Sequence, residues 1–153
     1  MAPAILCCHP HAGHPQFRQW ELEKWSQEGS DLGERMWRAA ARALETAEGV
    51  VIVGSDCPAC DAAYLETALK ELRRNEVVIG PAEDGGYVLI GLQRAERRLF
   101  EEISWGGADV LEKTLRRAER LGLGVKRLAT RWDVDRPEDL ARLRRSFPAI
   151  VSE

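Results

Sequence analysis

Residues 50–58 read Val-Val-Ile-Val-Gly-Ser-Asp-Cys-Pro, a run of β-branched apolar residues followed at once by a glycine, a carboxylate and a proline. A continuous apolar run of this type is typical of a strand that is covered on both faces. Residues 50–54 therefore predict a central strand of a sheet. In open α/β sheets ligands bind beyond the carboxyl ends of strands, so Asp56 is the first candidate functional residue.

Helical patterns lie on both sides of this strand. From Leu32 to Ala47 the apolar residues follow the 3.6-residue period, with Asp31 as a capping residue before them and Gly49 as the stop. The remaining helices are predicted after Asp61, over 108–121 with Gly122 as the stop, and from Pro137.

Shorter apolar runs complete the pattern of strands, at 3–8, 76–80, 86–92 and 124–129, and residues 9–28 look like a loop. Strands that alternate with helices predict a mostly parallel sheet with helices on both faces, a three-layer α/β/α fold. With no repeat and no linker, residues 1–153 are expected to form one domain.

Composition narrows the classes of partner. The 153 residues carry 22 basic and 25 acidic side chains, a net charge of −3 that gives no reason to expect nucleic acid as a partner. No apolar run approaches the roughly 20 residues of a membrane span, and the first residues do not resemble a signal peptide. We therefore expect a cytoplasmic protein whose four cysteines are reduced.

A second acidic cluster, Pro-Ala-Glu-Asp-Gly-Gly-Tyr at 81–87, separates two predicted strands. We expect Glu83 and Asp84 to be functional. Gly85 and Gly86 could let a ligand approach the backbone, although a tight turn is the more ordinary reason for an Asp-Gly sequence between strands.

The third cluster, Trp-Asp-Val-Asp-Arg-Pro-Glu-Asp at 132–139, precedes the last helix. In an extended segment Asp133 and Asp135 point the same way. A hard divalent cation would suit carboxylates at strand ends, but Asp56 and Asp135 could equally cap the helices that follow them.

Two further sites are possible. Cys57-Pro58-Ala59-Cys60 has the spacing and the position, after a strand and before a helix, of a thiol redox pair. An acid rather than an aromatic residue precedes the first cysteine, which disfavours the thiolate. The cysteines could also bind zinc with His9, His11 or His14, but the histidine spacings match no standard structural zinc site.

Taken together, Gly-Ser-Asp-Cys-Pro at 54–58, the segment Pro81–Leu92, Ser-Trp-Gly-Gly-Ala-Asp-Val-Leu at 104–111 and the segment Trp132–Leu140 resemble the motifs of one family. This is the bacterial glycosyltransferase-A-like (GT-A) family often labelled radical-SAM/selenodomain-associated transferase. The segment Glu28–Met36 matches it as well, and the resemblance covers residues 28–143.

The resemblance implies a GT-A fold and a metal-dependent glycosyltransferase or nucleotidyltransferase that acts on a nucleotide-sugar or nucleotide. It implies that Asp56 and Asp135 hold Mg²⁺ or Mn²⁺ at the diphosphate, and that Asp84 is the catalytic base or binds the acceptor. The further substrate-binding residues it implies are Gly33 and Arg35 near the nucleotide, Trp105 near the acceptor, and Glu83, Gly85 and Gly86 in the acceptor-side loop.

Members of that family usually begin with a strand and a nucleotide-gripping loop, and nothing of that kind precedes Pro3. We therefore expect a domain truncated at its N-terminus. A missing strand would leave an uncovered sheet edge, so we also expect a homodimer or other self-association. The alternative function is that of a catalytically impaired relative that serves as a binding or interaction module.

Overall fold

The protein is described by a computed structural model that covers residues 2–148. No helix in this range is both long enough and apolar enough to cross a membrane. The strands are β1 (Ile5–Cys8), β2 (Glu23–Ser26), β3 (Val50–Val53), β4 (Val77–Pro81), β5 (Tyr87–Leu92) and β6 (Val125–Arg127). The helices are α1 (Leu32–Ala43), α2 (Ala62–Leu72), α3 (Val110–Arg120) and α4 (Pro137–Ser146).

The predicted capping residues start the first two helices. The Asp31 carboxylate accepts a hydrogen bond from the Glu34 amide at 2.8 Å, and Asp61 accepts one from the Tyr64 amide at 2.8 Å. At the end of α3, Gly122 has the expected positive φ of 66°. The predicted end of α1 was wrong, since the helix stops at Ala43, before Gly49.

Four strands form one sheet in the order β3-β5-β4-β6. β5 runs antiparallel to both β3 and β4, whereas β4 and β6 are parallel. The predicted mostly parallel sheet is therefore wrong, because this sheet is mixed. The physical reason is that only residues 82–86 join β4 to β5, and so short a connection can close only an antiparallel pair.

β3 is not the central strand that its sequence predicts. It lies at one edge of the four-stranded sheet, and its four residues are half-buried, whereas Ile79 in β4 and Ile90 in β5 are 0% and 1% exposed. A β-branched apolar run shows that both faces of a strand are covered, but it does not report how many strands lie beside it.

A second, two-stranded parallel sheet pairs β1 with β2. β2 falls inside the segment that we expected to be a loop. Its sequence, Glu-Lys-Trp-Ser, shows neither an apolar run nor a clean alternation, so only its pairing with β1 identifies it as a strand.

Helices cover both faces of the larger sheet, so the three-layer prediction is confirmed. One core cluster joins α1 and α3 to alternate positions of β4, Val77 and Ile79. The other joins α2 to Val78 of the same strand. Alternate side chains of one strand thus enter opposite layers, as the two-residue period of a strand requires.

Candidate functional site

The carboxyl ends of three strands lie at the same edge of the sheet. β3 and β4 are each antiparallel to β5, so they run in one direction, and β6 is parallel to β4. The chain segments that leave these ends are 54–58, 82–86 and 128–135. All three predicted acidic clusters therefore meet at the edge where ligands bind in α/β sheets.

Backbone hydrogen bonds continue the pairing of β4 and β6 beyond the ends of these strands. The Arg131 amide donates to the carbonyl of Pro81 at 2.8 Å, and the Glu83 amide donates to the carbonyl of Arg131 at 3.0 Å. This parallel extension carries the turn at 82–86 alongside the segment that contains Asp133 and Asp135.

The segment after β3 is tied to the same place by three contacts. The Val134 amide donates to the Asp56 carbonyl at 2.9 Å. The Cys57 thiol donates to the Trp132 carbonyl at 3.2 Å, and Arg131 Nε donates to the Ala59 carbonyl at 3.1 Å. Asp56 thus lies next to Asp133 and Asp135, although more than 70 residues separate them in sequence.

Carboxylate oxygens of Asp84, Asp133 and Asp135 lie within 4.8 Å of one another. They form the one group of three or more potential metal-ligating side chains found among residues 2–148. We call these three carboxylates, with the adjoining Asp56, the acidic rim. The structure brings together the predicted Asp84 and Asp135 and adds Asp133, whose alternation with Asp135 was the signal in the sequence.

The charges of the acidic rim oppose one another. Partial burial raises the pKa of Asp133, and the charges of Asp135, Asp84 and Asp56 raise it further. Desolvation also raises the pKa of Asp135, followed by the charges of Asp56 and Asp84. A hard divalent cation with oxygen ligands, such as Mg²⁺ or Mn²⁺, fits this donor set.

Helix capping does not account for the acidic rim. The helix after Asp56 is capped by Asp61. At the start of α4 the carboxylate of Asp139 accepts from the amides of Asp135 and Arg136, at 3.2 and 2.9 Å. The capping alternatives are therefore wrong: Asp61 caps α2 in place of Asp56, and the N-cap position of α4 is Arg136 rather than Asp135.

The first of the two glycines in the 82–86 turn has a structural reason. Gly85 has a φ of 94°, and a Cβ there would lie 2.0 Å from the carbonyl oxygen of Ala108. The Gly86 amide donates to Oδ1 of Asp84 at 2.9 Å, which closes a tight turn. Close packing against the 104–109 loop is enough to require glycine at position 85.

Glu83 is held by a residue that the sequence did not suggest. Its carboxylate binds both terminal nitrogens of Arg142 in α4, at 2.7 and 3.0 Å. These hydrogen bonds hold the pKa of Glu83 below its usual range. Nothing in the sequence pattern pairs residues 59 positions apart, so this contact could not be read from it.

Gly33 and Trp105 pack on each other rather than on the acidic rim. A Cβ at Gly33 would lie 2.4 Å from Cζ2 of the Trp105 indole, so only glycine leaves room for this ring. The third residue expected near a nucleotide, Arg35, donates from Nε to the Gly29 carbonyl at 3.2 Å and lines a groove between α1 and the β1–β2 sheet.

The geometry does not favour the thiol redox pair or the zinc site. The sulfur atoms of Cys57 and Cys60 lie 3.3 Å apart as free thiols. Burial and the neighbouring Cys57 raise the pKa of Cys60 to about 12, which disfavours the thiolate that redox exchange needs. Within residues 2–148 the histidines and cysteines form no group of three metal-ligating side chains, so the zinc site has no support there.

The chain resembles a solved structure over nearly its whole length. A protein of Desulfovibrio desulfuricans G20, described as a "putative nucleotide-diphospho-sugar transferase", superposes with a TM-score of 0.87 at 35% sequence identity. The match covers 95% of this chain and 66% of the Desulfovibrio protein, so this chain spans slightly less than two thirds of that length.

A comparison with curated proteins gives no significant match. A family model described as "Uncharacterized protein conserved in bacteria (DUF2064)" matches residues 1–107, more than half of the 153 residues. The chain belongs to the DUF2064 family.

Proposed function

We propose that the acidic rim binds one divalent cation, Mg²⁺ or Mn²⁺, and that the chain acts as a metal-dependent transferase on a nucleotide-diphospho-sugar. The observation that carries this proposal is the approach of three carboxylates to within 4.8 Å of one another at a solvent-facing strand end. Repelling charges that no cap or ion pair explains are typical of functional sites.

Asp133, Asp135 and Asp84 supply oxygens to the cation in this proposal, with Asp56 beside them. When bound, the cation supplies Lewis-acid stabilisation of charge on the diphosphate leaving group. Oδ1 of Asp84 is used by the Gly86 amide, which leaves Oδ2 to face the cation or to accept the proton of an acceptor hydroxyl.

The nucleotide-sugar as substrate is supported by the similarity to the Desulfovibrio protein, at 35% identity and a TM-score of 0.87. Gly33, Arg35 and Trp105 stay candidates for substrate contacts, although packing against the Trp105 ring already explains the glycine at position 33. The remaining substrate-binding candidates, Glu83, Gly85 and Gly86, lie in the turn that carries Asp84.

Self-association and a cytoplasmic location also stay predictions. Among the described residues β1 pairs only with β2, and β3 pairs only with β5. Each therefore has one edge with unpaired backbone groups, which is the feature that favours association with another chain.

Thermal melting with a panel of nucleotide-diphospho-sugars, with and without Mn²⁺, tests the proposed function. A ligand that binds only the folded state at about 100 times its Kd stabilises it by about 2.7 kcal/mol, a shift of several degrees in Tm. We expect such a shift for at least one nucleotide-sugar, only in the presence of Mn²⁺, and its loss in Asp135→Asn.

Glu119→Gln is the matched control, because it removes one exposed acid from the far end of α3. A shift that does not depend on Mn²⁺, or that survives in Asp135→Asn, would contradict the proposed role of the acidic rim. No shift with any nucleotide-sugar would favour the alternative of a binding or interaction module.

A further inference from the structure

Arg142 in α4 contacts two of the segments that form the acidic rim. Its guanidinium makes two parallel hydrogen bonds to the Glu83 carboxylate, at 2.7 and 3.0 Å. The same group lies over the Trp132 ring, with 4.4 Å between its central carbon and the ring centroid. Glu83 immediately precedes Asp84, and Trp132 immediately precedes Asp133.

Asp84 lies just beyond the backbone pairing that joins its turn to the 128–135 segment. The parallel pairing with the 128–135 segment ends at the Glu83 amide, one residue before Asp84. Asp84 then lies in a turn that the Gly86 amide closes by donating to the Asp84 carboxylate, and the Ala82 amide by donating to the Gly86 carbonyl. The turn is tied to α3 where the Leu111 amide donates to the Gly85 carbonyl at 2.9 Å, but these bonds do not join it to the 128–135 segment. The side chain of Glu83 is thus the nearest point at which this turn can be fastened to the opposite segment.

α4 does little else that would require an arginine at this place. None of its residues is buried, and Leu140 is 43% exposed. A second aromatic contact, between Trp132 and Phe147 at 6.3 Å between ring centroids, docks the C-terminal end of the helix. Docking of α4 and fastening of the turn can therefore be separated by mutation.

We infer that Arg142 is a positioning residue of the acidic rim: by binding Glu83 and Trp132 together, it holds the turn that carries Asp84 at the distance from Asp133 and Asp135 that a shared cation needs. This inference rests on the proposed cation site.

For Arg142→Gln, the loss of the positive charge and the loss of the positioning contact predict opposite changes in cation affinity. The Arg142–Glu83 pair is neutral, so removing the arginine leaves an extra negative charge beside Asp84, and Coulomb attraction alone would strengthen cation binding. If Asp84 loses its position, cation binding should weaken. Removal of a residue that orients a metal ligand typically lowers metal affinity about 10- to 100-fold.

We expect Mn²⁺ affinity to fall about tenfold or more in Arg142→Gln. In Arg142→Lys, which keeps the charge but cannot form the two parallel bonds, we expect a smaller fall. Arg98→Gln is the matched control, since Arg98 makes the same two-bond contact to Glu96 on the surface and should change nothing. Unchanged or tighter binding in Arg142→Gln would overturn the inference.

Hydrogen exchange of the backbone amides gives a readout that needs no metal. In Arg142→Gln the amides of residues 83–86 should exchange faster, whereas Arg98→Gln should leave their exchange unchanged. Equal exchange of the turn in the wild type and Arg142→Gln would refute the positioning role. If the wild type binds no Mn²⁺, the cation site fails, while hydrogen exchange still decides the role of Arg142.

Discussion

The acidic rim and the Gly33–Trp105 contact lie on two sides of the 104–109 loop. Close packing favours the folded state at the Gly33–Trp105 contact, whereas like charges repel one another in the rim. The loop at 104–109 presses against Gly85 through the carbonyl of Ala108, and it presents Trp105 to Gly33. Around Trp105 the rings of Tyr87 and Phe100 fill the space, at centroid distances of 6.3 and 6.4 Å. In the rim, by contrast, desolvation and the charges of neighbouring carboxylates raise the pKa of Asp133 and of Asp135.

This difference separates residues that packing explains from residues that it does not. Close contact is enough to explain the glycines at positions 33 and 85. Asp133 and Asp135 have a raised pKa at a strand end rather than a packing role, and such groups are common at functional sites.

The larger expected changes in stability concern the packed side of the comparison. Alanine in place of a helical glycine normally stabilises by about 0.5–1 kcal/mol. In Gly33→Ala the new Cβ would collide with the Trp105 indole, and we expect a net loss of about 1–2 kcal/mol in the free energy of unfolding. Denaturant melts measure the change.

Trp105→Ala supplies the partner for a double-mutant cycle. Alone it should destabilise by about 2–3 kcal/mol, since a large half-buried ring is lost. In that background Gly33→Ala should become neutral or stabilising, because the colliding ring is gone. A Gly33→Ala variant that is more stable than the wild type would show that position 33 is kept as glycine for another reason.

In the acidic rim we expect a smaller change in folding stability, and one of opposite sign. The raised pKa of Asp135 means that its protonated form favours the fold, so this contribution is present at low pH and is lost as the pH rises through the folded-state pKa. At pH 7 without metal, Asp135→Asn should therefore be more stable than the wild type. Because the group is exposed and screened, we expect only about 1–2 °C in Tm.

Thermal melts at a series of pH values check this sign. The gain should shrink between pH 7 and about pH 4, as the wild-type carboxylates become protonated. With Mn²⁺ present the order should reverse, because the wild type then gains a ligand that the variant binds poorly. A variant that is less stable than the wild type without metal at pH 7 would mean that Asp135 has a structural role.

Local pattern predicted the elements better than their arrangement. The capping residues Asp31 and Asp61 and the apolar runs of β3, β4 and β5 identify elements, because each acts within a few residues. The edge position of β3 and the antiparallel direction of β5 depend on which strands become neighbours, and no local pattern reports that.

For the site, the sequence supplied the acidic clusters and their place at strand ends. It did not show that Asp133 would join Asp84 and Asp135, since side chains that alternate in a strand can share a face without sharing a site. The role of Arg142 could not be predicted from the sequence, because its partners Glu83 and Trp132 come from segments that only the folded sheet brings together.

The central claim is that carboxylates from distant parts of the chain share one cation, and a titration of Mn²⁺ followed by the electron paramagnetic resonance of the free ion tests it most directly. We expect one bound Mn²⁺ in the wild type and in Glu119→Gln, displaced by Mg²⁺, and binding weakened about tenfold or more in Asp133→Asn. No bound Mn²⁺ in the wild type, or equal affinity in Asp133→Asn and Glu119→Gln, would contradict the account.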